Sequence, residues 1–180
     1  MILNKITTEK GEYVVLRSLE KNDIKRAKEF AAYLNSLIKE KDFICFKKPV
    51  TTQWEKNALR DWLKNQRKRT MIPIIAEYNG KIIGIADVRK RMGVMDHITV
   101  MGISVRKGYR NMGIGSALIE ECIKTARQKK AKILRLEVFS TNKRAITFYK
   151  KYGFKKVAEI PHQIQRRGKL ISEFVMLKYL

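Results

Sequence analysis

The segment VRKGYRNMGIGSAL, residues 105–118, places three glycines within eight positions. They are Gly108, Gly113 and Gly115. Glycine lets the backbone turn with positive φ and lets a ligand approach the main chain. Residues 98–105 alternate as a strand before this turn, and an apolar stripe with helical spacing runs from about Gly113 to Lys129 after it. Because the first N–H groups of a helix are unpaired and its dipole favours anions, the segment predicts a phosphate pocket.

The spacing of these glycines excludes two common phosphate sites. A P-loop needs lysine after its second glycine, but Ile114 follows Gly113, and the dinucleotide pattern G-x-G-x-x-G is absent. Neither a nucleoside triphosphate nor NAD is favoured. Taken alone, Gly113 and Gly115 are equally compatible with tight packing of a helix on a strand.

A second motif, TNKRAITFYKKYGF at residues 141–154, follows a predicted strand at 133–139. Residues 110–115, RNMGIG, resemble the [Q/R]-x-x-G-x-[G/A] motif of the GNAT acyl-CoA N-acyltransferase superfamily. The second motif is similar to the N-x-x-A-x-x-hydrophobic-Y-x-K-x-G-F pattern of the same superfamily. The close resemblance covers residues 98–155, whereas residues 1–70 match only in element order.

The resemblance implies a fold and a reaction. The expected fold is α/β (α+β mixed), with a mixed, mostly antiparallel sheet of about seven strands flanked by about four helices. Its fourth and fifth strands, residues 98–105 and 133–138, would diverge to admit the pantetheine of a coenzyme. The chain is expected to form one N-acetyltransferase domain over residues 1–180. The implied reaction is the direct transfer of an acetyl group from acetyl-CoA, as cosubstrate, to an amine in a ternary complex.

The resemblance also assigns the coenzyme contacts. The pyrophosphate would lie on the backbone of the glycine turn, and the pantetheine along the fourth strand. The implied coenzyme-binding residues are Ile103, Ser104, Val105, Arg110, Asn111, Met112, Gly113, Ile114, Gly115, Ser116, Asn142, Tyr149 and Lys151. Lys151 and neighbouring cations would meet the 3′-phosphate, although such residues are often only solvated lysines.

Two residues are candidates for catalysis. Tyr149 is the expected general acid, because a phenol is protonated near neutral pH; its structural alternative is a core tyrosine. Glu137 is the expected general base by similarity to ribosomal-protein alanine acetyltransferases, but a salt bridge to Arg135 on the same strand face would explain it equally well. Glu77 and water remain open as bases.

The rest of the chain shows the same mixture of patterns. We expect a strand at 13–17, a helix from Asn22 or Asp23 to about Lys41, and a helix opening at Thr51 or Thr52. The apolar side of that second helix would carry Trp54, Ala58, Trp62 and Leu63. Hairpins are expected around Asn79-Gly80 and Arg167-Gly168.

The net charge of +23, from 40 Lys and Arg against 17 Asp and Glu, is the strongest compositional signal. It favours a polyanionic partner, which is nucleic acid, a ribosome, anionic lipid or a phosphorylated cofactor. Association with ribosomes or nucleic acid is a further expectation, and an RNA-binding module or an inactive acyl-CoA sensor are the alternative functions. No apolar run of ~20 residues predicts a membrane span. Two scattered cysteines and two unpaired histidines predict no disulfide framework and no metal site. We therefore expect a cytoplasmic monomer or homodimer with no membrane partner.

Overall fold

The computed structural model describes residues 1–8, 11, 13–40, 43–166 and 168–180. These residues form one sheet of eight strands in the order β1-β2-β3-β4-β5-β6-β8-β7. The strands are β1 Ile2–Thr7, β2 Tyr13–Ser18, β3 Met71–Tyr78, β4 Lys81–Lys90, β5 Ile98–Val105, β6 Ile133–Phe139, β7 Lys155–Arg166 and β8 Lys169–Tyr179. Neighbouring strands are antiparallel except β5 and β6, which are parallel. The expected mixed, mostly antiparallel sheet is confirmed.

In the described part of the chain, four α-helices cover the two faces of this sheet. They are α1 Ala27–Lys39, α2 Thr52–Arg67, α3 Ile114–Gln128 and α4 Lys143–Lys151. Short 3-10 helices occupy Lys21–Ile24 and Gly93–Met95. The hydroxyl of Thr51 accepts a hydrogen bond from the Trp54 N–H at 3.1 Å, which is why α2 begins where it does.

Each sheet face carries its own apolar cluster. On one face, α3 and α4 pack against the inward residues of β2 to β6, with Leu118 and Leu136 at the centre. On the other face, α1 and α2 pack on β3 and β4 through Phe30, Leu59 and Ile75. These side chains are at most 1% exposed, and each fully buried side chain of this size contributes about 1.5–3 kcal/mol. The sheet is therefore fixed from both sides.

The pairing of β5 with β6 positions the site. Register contacts join Ile98–Val100 to Ile133–Arg135 and stop there, although β5 continues to Val105 and β6 to Phe139. The two strands thus separate toward their carboxyl ends. The expected divergence is confirmed, and it falls between the fifth and sixth strands because β1 adds a strand at the start.

Several expectations need correction or concern residues outside the described ranges. The sequence predicts about seven strands and does not predict β1, which forms by pairing with β2. The expected apolar side of α2 is confirmed at Leu63, which is buried, but it is wrong at Trp54, which is 45% exposed. The helix also buries Glu55 and Leu59.

Helix α1 begins at Ala27 and not at Asn22 or Asp23, since a 3-10 turn closed by Glu20 and Asp23 precedes it. The expected helix end at Lys41 and the turn residue Arg167 lie outside the described residues. At the β3–β4 hairpin, Asn79 and Gly80 have φ of 46° and 73°, as the predicted two-residue turn requires.

Candidate active site

The turn between β5 and α3 presents a run of unpaired backbone donors. Gly113, the residue before α3, has φ of 77°, and Asn111 has φ of 63°, so the chain reverses twice before the helix starts. Within the described residues, no backbone carbonyl accepts a hydrogen bond from the N–H groups of residues 110–116. The first paired N–H is that of Ala117, which donates to the Gly113 carbonyl at 3.0 Å. This geometry is a ready anion site.

Side chains hold the turn in place from both ends. Arg110 Nε donates to the Val105 carbonyl at 2.9 Å, and Arg110 Nη2 lies 2.5 Å from Glu40 Oε2 at the end of α1. Asn111 Oδ1 accepts a hydrogen bond from Arg144 Nη2 at 2.7 Å, which ties the turn to α4. The donor run is therefore anchored to three elements.

A cavity of about 780 Å³ joins this turn to the gap between β5 and β6. Eleven of the residues expected at the site line it. They are Ile103, Ser104, Val105, Arg110, Asn111, Gly113, Gly115, Ser116, Asn142, Tyr149 and Lys151. Its wall also includes Leu37 and Glu40 from α1 and Phe43 and Ile44 beyond it. The cavity thus reaches from the α3–α4 face to the α1–α2 face of the sheet.

Three expected site residues do not line the cavity. Met112 is 7% exposed and Ile114 is fully buried in the core beside α3, so only their backbone N–H groups are available to a ligand. Glu137 lies on the face of β6 opposite to Leu136. There its Oε1 accepts hydrogen bonds from Arg135 Nε at 3.1 Å and Nη2 at 2.7 Å. The salt bridge weighed as its structural alternative is therefore present, with the Glu137 side chain 39% exposed.

Tyr149 combines burial with an unpartnered hydroxyl. It is 7% exposed, and its ring packs between Phe148 and Phe154 with centroid separations of 5.6 and 5.9 Å. Its hydroxyl makes no hydrogen bond to any described residue, although the side chain lines the cavity. Burial raises the pKa of Tyr149 above its ordinary value, with the nearby Cys122 adding to the effect. The phenol therefore keeps its proton at neutral pH, and the residue that carries it borders the cavity.

Asn142 starts the helix that carries Tyr149. Its Oδ1 accepts a hydrogen bond from the Ala145 N–H at 3.2 Å, and the same side chain lines the cavity. The cationic residues Lys143, Arg144 and Lys151 line the cavity along α4. They place positive charge beside the donor run, where a second phosphate of a ligand would be attracted.

Glu77, the third base considered from the sequence, is held in an ion cluster. Its carboxylate lies 2.5 Å from Arg17 Nε and 3.0 Å from Arg26 Nη1, and it is not among the residues that line the cavity. Arg17 also pairs with the buried Asp23 at 2.8 Å. The environment of Glu77 is thus a structural ion network between β2, β3 and the first 3-10 turn.

Tyr33 is a site-positioning residue that the sequence did not reveal. It is 2% exposed in α1, and its hydroxyl donates to the Ser104 carbonyl at 2.9 Å and lies 2.9 Å from Ser104 Oγ. This contact fixes the end of β5 against α1 just before the donor run. Tyr33 lies three residues after Phe30 and four before Leu37, so a fuller count of the helical stripe would have placed it inside.

In the part of the chain that the structure describes, no group of three or more His, Cys, Asp or Glu side chains could hold a metal ion. Cys45 is exposed and Cys122 is buried, and both are free. Among the described residues, no helix is long and apolar enough to cross a membrane.

Comparison with known proteins identifies the family. The model of the Acetyltransferase (GNAT) family matches residues 35–154. The chain is 28% identical over 141 residues to N-alpha-acetyltransferase 60 of Xenopus tropicalis, covering 67% of this chain and 57% of that protein. The matches span only 37–59% of the length of the first curated relatives.

Solved structures share the fold. A ribosomal-protein-alanine N-acetyltransferase of Brucella melitensis superposes with a TM-score of 0.78 at 22% identity, covering 92% of this chain and 99% of that one. The yncA protein of Salmonella typhimurium, determined with its cofactor acetyl-CoA, gives a TM-score of 0.77 at 20% identity over 93% and 94% of the two chains. With a family model that matches more than half of its length and an architecture that agrees, the chain belongs to the GNAT acetyltransferase family.

Proposed function

We propose that this protein is an N-acetyltransferase that transfers the acetyl group of acetyl-CoA to a primary amine of a protein or small molecule. The observation that carries the proposal is the single cavity that joins three features. These are the unpaired N–H groups of residues 110–116, the end of β5 that no longer pairs with β6, and the side chain of Tyr149. Family membership supports the same assignment.

The residues present fit the coenzyme. An added Cβ at Gly113 would meet no atom within 4 Å, so the space over this residue is free for a ligand. The N–H groups of residues 110–116 would hold the pyrophosphate, and Lys143, Arg144 and Lys151 would neutralise the 3′-phosphate. The backbone of Ile103 to Val105 would accompany the pantetheine along the open side of β5.

Acetyl-CoA supplies a thioester that a neutral amine attacks and a thiolate that leaves. Tyr149 donates its proton to the departing sulfur, because its hydroxyl is protonated and has no competing partner among the described residues. We place the acceptor amine on the α1–α2 side of the gap, where the cavity reaches Phe43 and Ile44. A proton then leaves the amine to a base on that side.

Glu137 is the proposed base, since its carboxylate lies on the α1–α2 face of β6; water is the alternative. Its two hydrogen bonds from Arg135 orient the carboxylate and also compete for it. Glu137→Gln distinguishes the two bases. With Glu137 as base, turnover falls by ~10²-fold or more. With water as base, the rate stays close to that of the unmodified protein.

The acceptor is tested with a panel of amines. Free-thiol release from acetyl-CoA is measured with short peptides bearing a free α-amine, with free amino acids and with lysine side chains blocked at the α-amine. Peptide α-amines come first because a relative is named an N-alpha-acetyltransferase. Tight coenzyme binding without turnover on any amine would favour the sensor function, and absence of coenzyme binding would refute the proposal.

We also propose that the reaction takes place in the reducing cytoplasm, because the exposed Cys45 is unpaired. Association with ribosomes remains a second expectation from the net charge of +23.

A further inference from the structure

The end of the sheet farthest from the cavity is a compact surface built from several chain segments. The Lys90 N–H donates to the Thr70 carbonyl at 2.8 Å, which joins the end of β4 to the end of α2. The Lys132 N–H donates to the His97 carbonyl at 2.8 Å, which joins the start of β6 to the β4–β5 hairpin. Lys129 Nζ donates to the Arg69 carbonyl at 2.8 Å and links the ends of α3 and α2. We call this surface the basic end.

The basic end lies one strand length from the donor run. Strand β5 starts at Ile98 beside this surface and finishes at Val105 beside the cavity. At about 3.3 Å per residue, the separation is roughly 23 Å. A large partner on the basic end would therefore leave the cavity open.

Charge is concentrated here to an unusual degree. The segments 67–70, 90–97 and 127–132 contain nine basic residues and a single acidic one, Asp96, which lies 3.4 Å from Lys90. The nine are Arg67, Lys68, Arg69, Lys90, Arg91, Arg127, Lys129, Lys130 and Lys132. Burial lowers the pKa of Lys129, and the neighbouring charges of Arg69 and Lys90 act in the same direction. The cations are thus crowded enough to oppose one another.

Exposed apolar side chains project from the same surface. In the β4–β5 hairpin, Val94 is 93% exposed, Met92 79% and Met95 40%. Tyr179, which pairs in register with Ile133 at the start of β6, is 71% exposed. Apolar side chains held out into solvent beside a cluster of cations mark an interaction surface.

Helix dipoles explain part of this arrangement but not all of it. Arg69 and Lys130 follow the last turns of α2 and α3 with φ of 56° and 57°, and cations are favourable at helix carboxyl ends. That effect does not account for Lys90, Arg91 and Lys132, which belong to strand ends. It also gives no reason for the exposure of Met92 and Val94.

We propose that the basic end binds the anionic surface of a lipid bilayer, with the hairpin tip at Met92 to Met95 inserted among the headgroups. Both the cations and the exposed aliphatic side chains favour binding to such a bilayer, because cations are attracted to acidic headgroups and aliphatic side chains leave water. A nucleic acid would use the cations and the ring of Tyr179, but it would gain little from Met92, Val94 and Met95, which offer no ring on which bases stack. The proposal departs from the expectation of no membrane partner, which considered only spanning segments.

The experiment measures cosedimentation of the full chain with vesicles. Vesicles of phosphatidylcholine with roughly one third phosphatidylserine are compared with vesicles of phosphatidylcholine alone. We expect binding to the first and not to the second, and a loss of binding at about 1 M salt, where charge is screened.

Two double variants test the cations and the apolar side chains of the basic end separately. Lys68→Gln with Lys132→Gln removes two exposed cations, and the expected loss of affinity is about 25-fold, or fivefold for each charge. Met92→Ser with Val94→Ser keeps the charge, and the expected loss is at least about tenfold. The matched control is Lys48→Gln with Lys169→Gln, which lowers the net charge equally at the opposite end of the molecule and should bind like the unmodified protein.

Each other result overturns the proposal. Absence of binding to the anionic vesicles does so, as does an equal loss in the control and in the cation variant. Tighter binding to an RNA duplex than to vesicles, lost with the two lysines but indifferent to Met92 and Val94, would assign the surface to nucleic acid instead. Circular dichroism and coenzyme affinity, which should not change in any variant, confirm that each protein is folded.

Discussion

Replacement of Tyr149 by phenylalanine tests the proposed reaction most directly. The ring keeps its contacts with Phe148 and Phe154, whereas the hydroxyl, which has no hydrogen-bond partner among the described residues, is lost. Since no hydrogen bond is broken, the free energy of unfolding should change by less than about 0.5 kcal/mol. Coenzyme affinity should also be nearly unchanged.

The saturating rate should fall, because the hydroxyl is the proposed source of the proton for the leaving thiolate. General acids contribute typically ~10²–10⁴-fold, and a coenzyme thiol with a pKa near that of cysteine, ~8.5, leaves with modest help. We therefore expect a loss of about 10²-fold, equivalent to about 2.7 kcal/mol of transition-state stabilisation. Because burial raises the pKa of Tyr149, this loss should persist unchanged across the neutral range.

The assay combines thiol release at saturating acetyl-CoA with urea denaturation of the same preparation. Tyr152→Phe is the control, since Tyr152 directly follows the same helix and does not line the cavity, although its hydroxyl donates to Glu120 Oε1 at 3.4 Å. If the Tyr149→Phe protein is destabilised by about 1 kcal/mol but keeps the normal rate, the hydroxyl of Tyr149 has a structural role and does not act as the general acid.

Three further changes test other parts of the structure. Gly115→Val should abolish coenzyme binding in calorimetry, whereas Gly115→Ala should retain it. A single Cβ at this position would meet only Phe148, at an ordinary 3.6 Å, but a branched side chain would fill the pocket. Equal affinities of the two variants would place the pyrophosphate elsewhere. Asn142→Ala should lower the free energy of unfolding by about 1 kcal/mol and Asn142→Ser should restore most of it, as expected for a helix cap; an identical loss in both would refute the capping role. Burial raises the pKa of Glu55 to about 7 in the folded protein, whereas the pKa in the unfolded chain is about 4.3. As the pH rises from about 4.3 to about 7, the unfolded chain loses this proton first, and the free energy of unfolding therefore falls. In urea denaturation, Glu55→Gln should therefore stabilise the protein by about 2 kcal/mol near pH 7.5 and hardly at all near pH 4. An equal difference in the free energy of unfolding between variant and unmodified protein at both pH values would contradict the buried-carboxyl explanation.

Local motifs predicted most of the residues that line the cavity and little else in detail. The glycine turn and the helix with Asn142 and Tyr149 each lie within a short stretch of sequence, so their spacing alone determines which groups come together. The contacts of Tyr33 with Ser104 and of Glu40 with Arg110 join residues about 70 positions apart, and no periodicity encodes them.

The sheet edge and the helix faces were harder to predict for a related reason. Strand β1, ILNKIT, is mostly exposed, with only Leu3 and Ile6 partly buried, and it forms because β2 offers it a partner. Trp54 was expected inside α2, but it packs on Phe46 of the preceding loop, with ring centroids 5.4 Å apart, and leaves the sheet-facing side to Leu59 and Leu63. In both cases tertiary contacts, rather than local propensity, decide the outcome.

The ion pair between Glu40 and Arg110 has a thermodynamic consequence. Glu40 also accepts from the Lys107 N–H at 3.4 Å, so one carboxylate at the end of α1 holds both sides of the turn that would carry the pyrophosphate. Phe43 and Ile44, a few residues further along the chain, line the part of the cavity assigned to the acceptor. An acceptor that displaces Glu40 together with Phe43 and Ile44 must therefore also disturb the turn between β5 and α3. Linkage then requires that each substrate change the affinity for the other by the same factor, whichever of the two binds first.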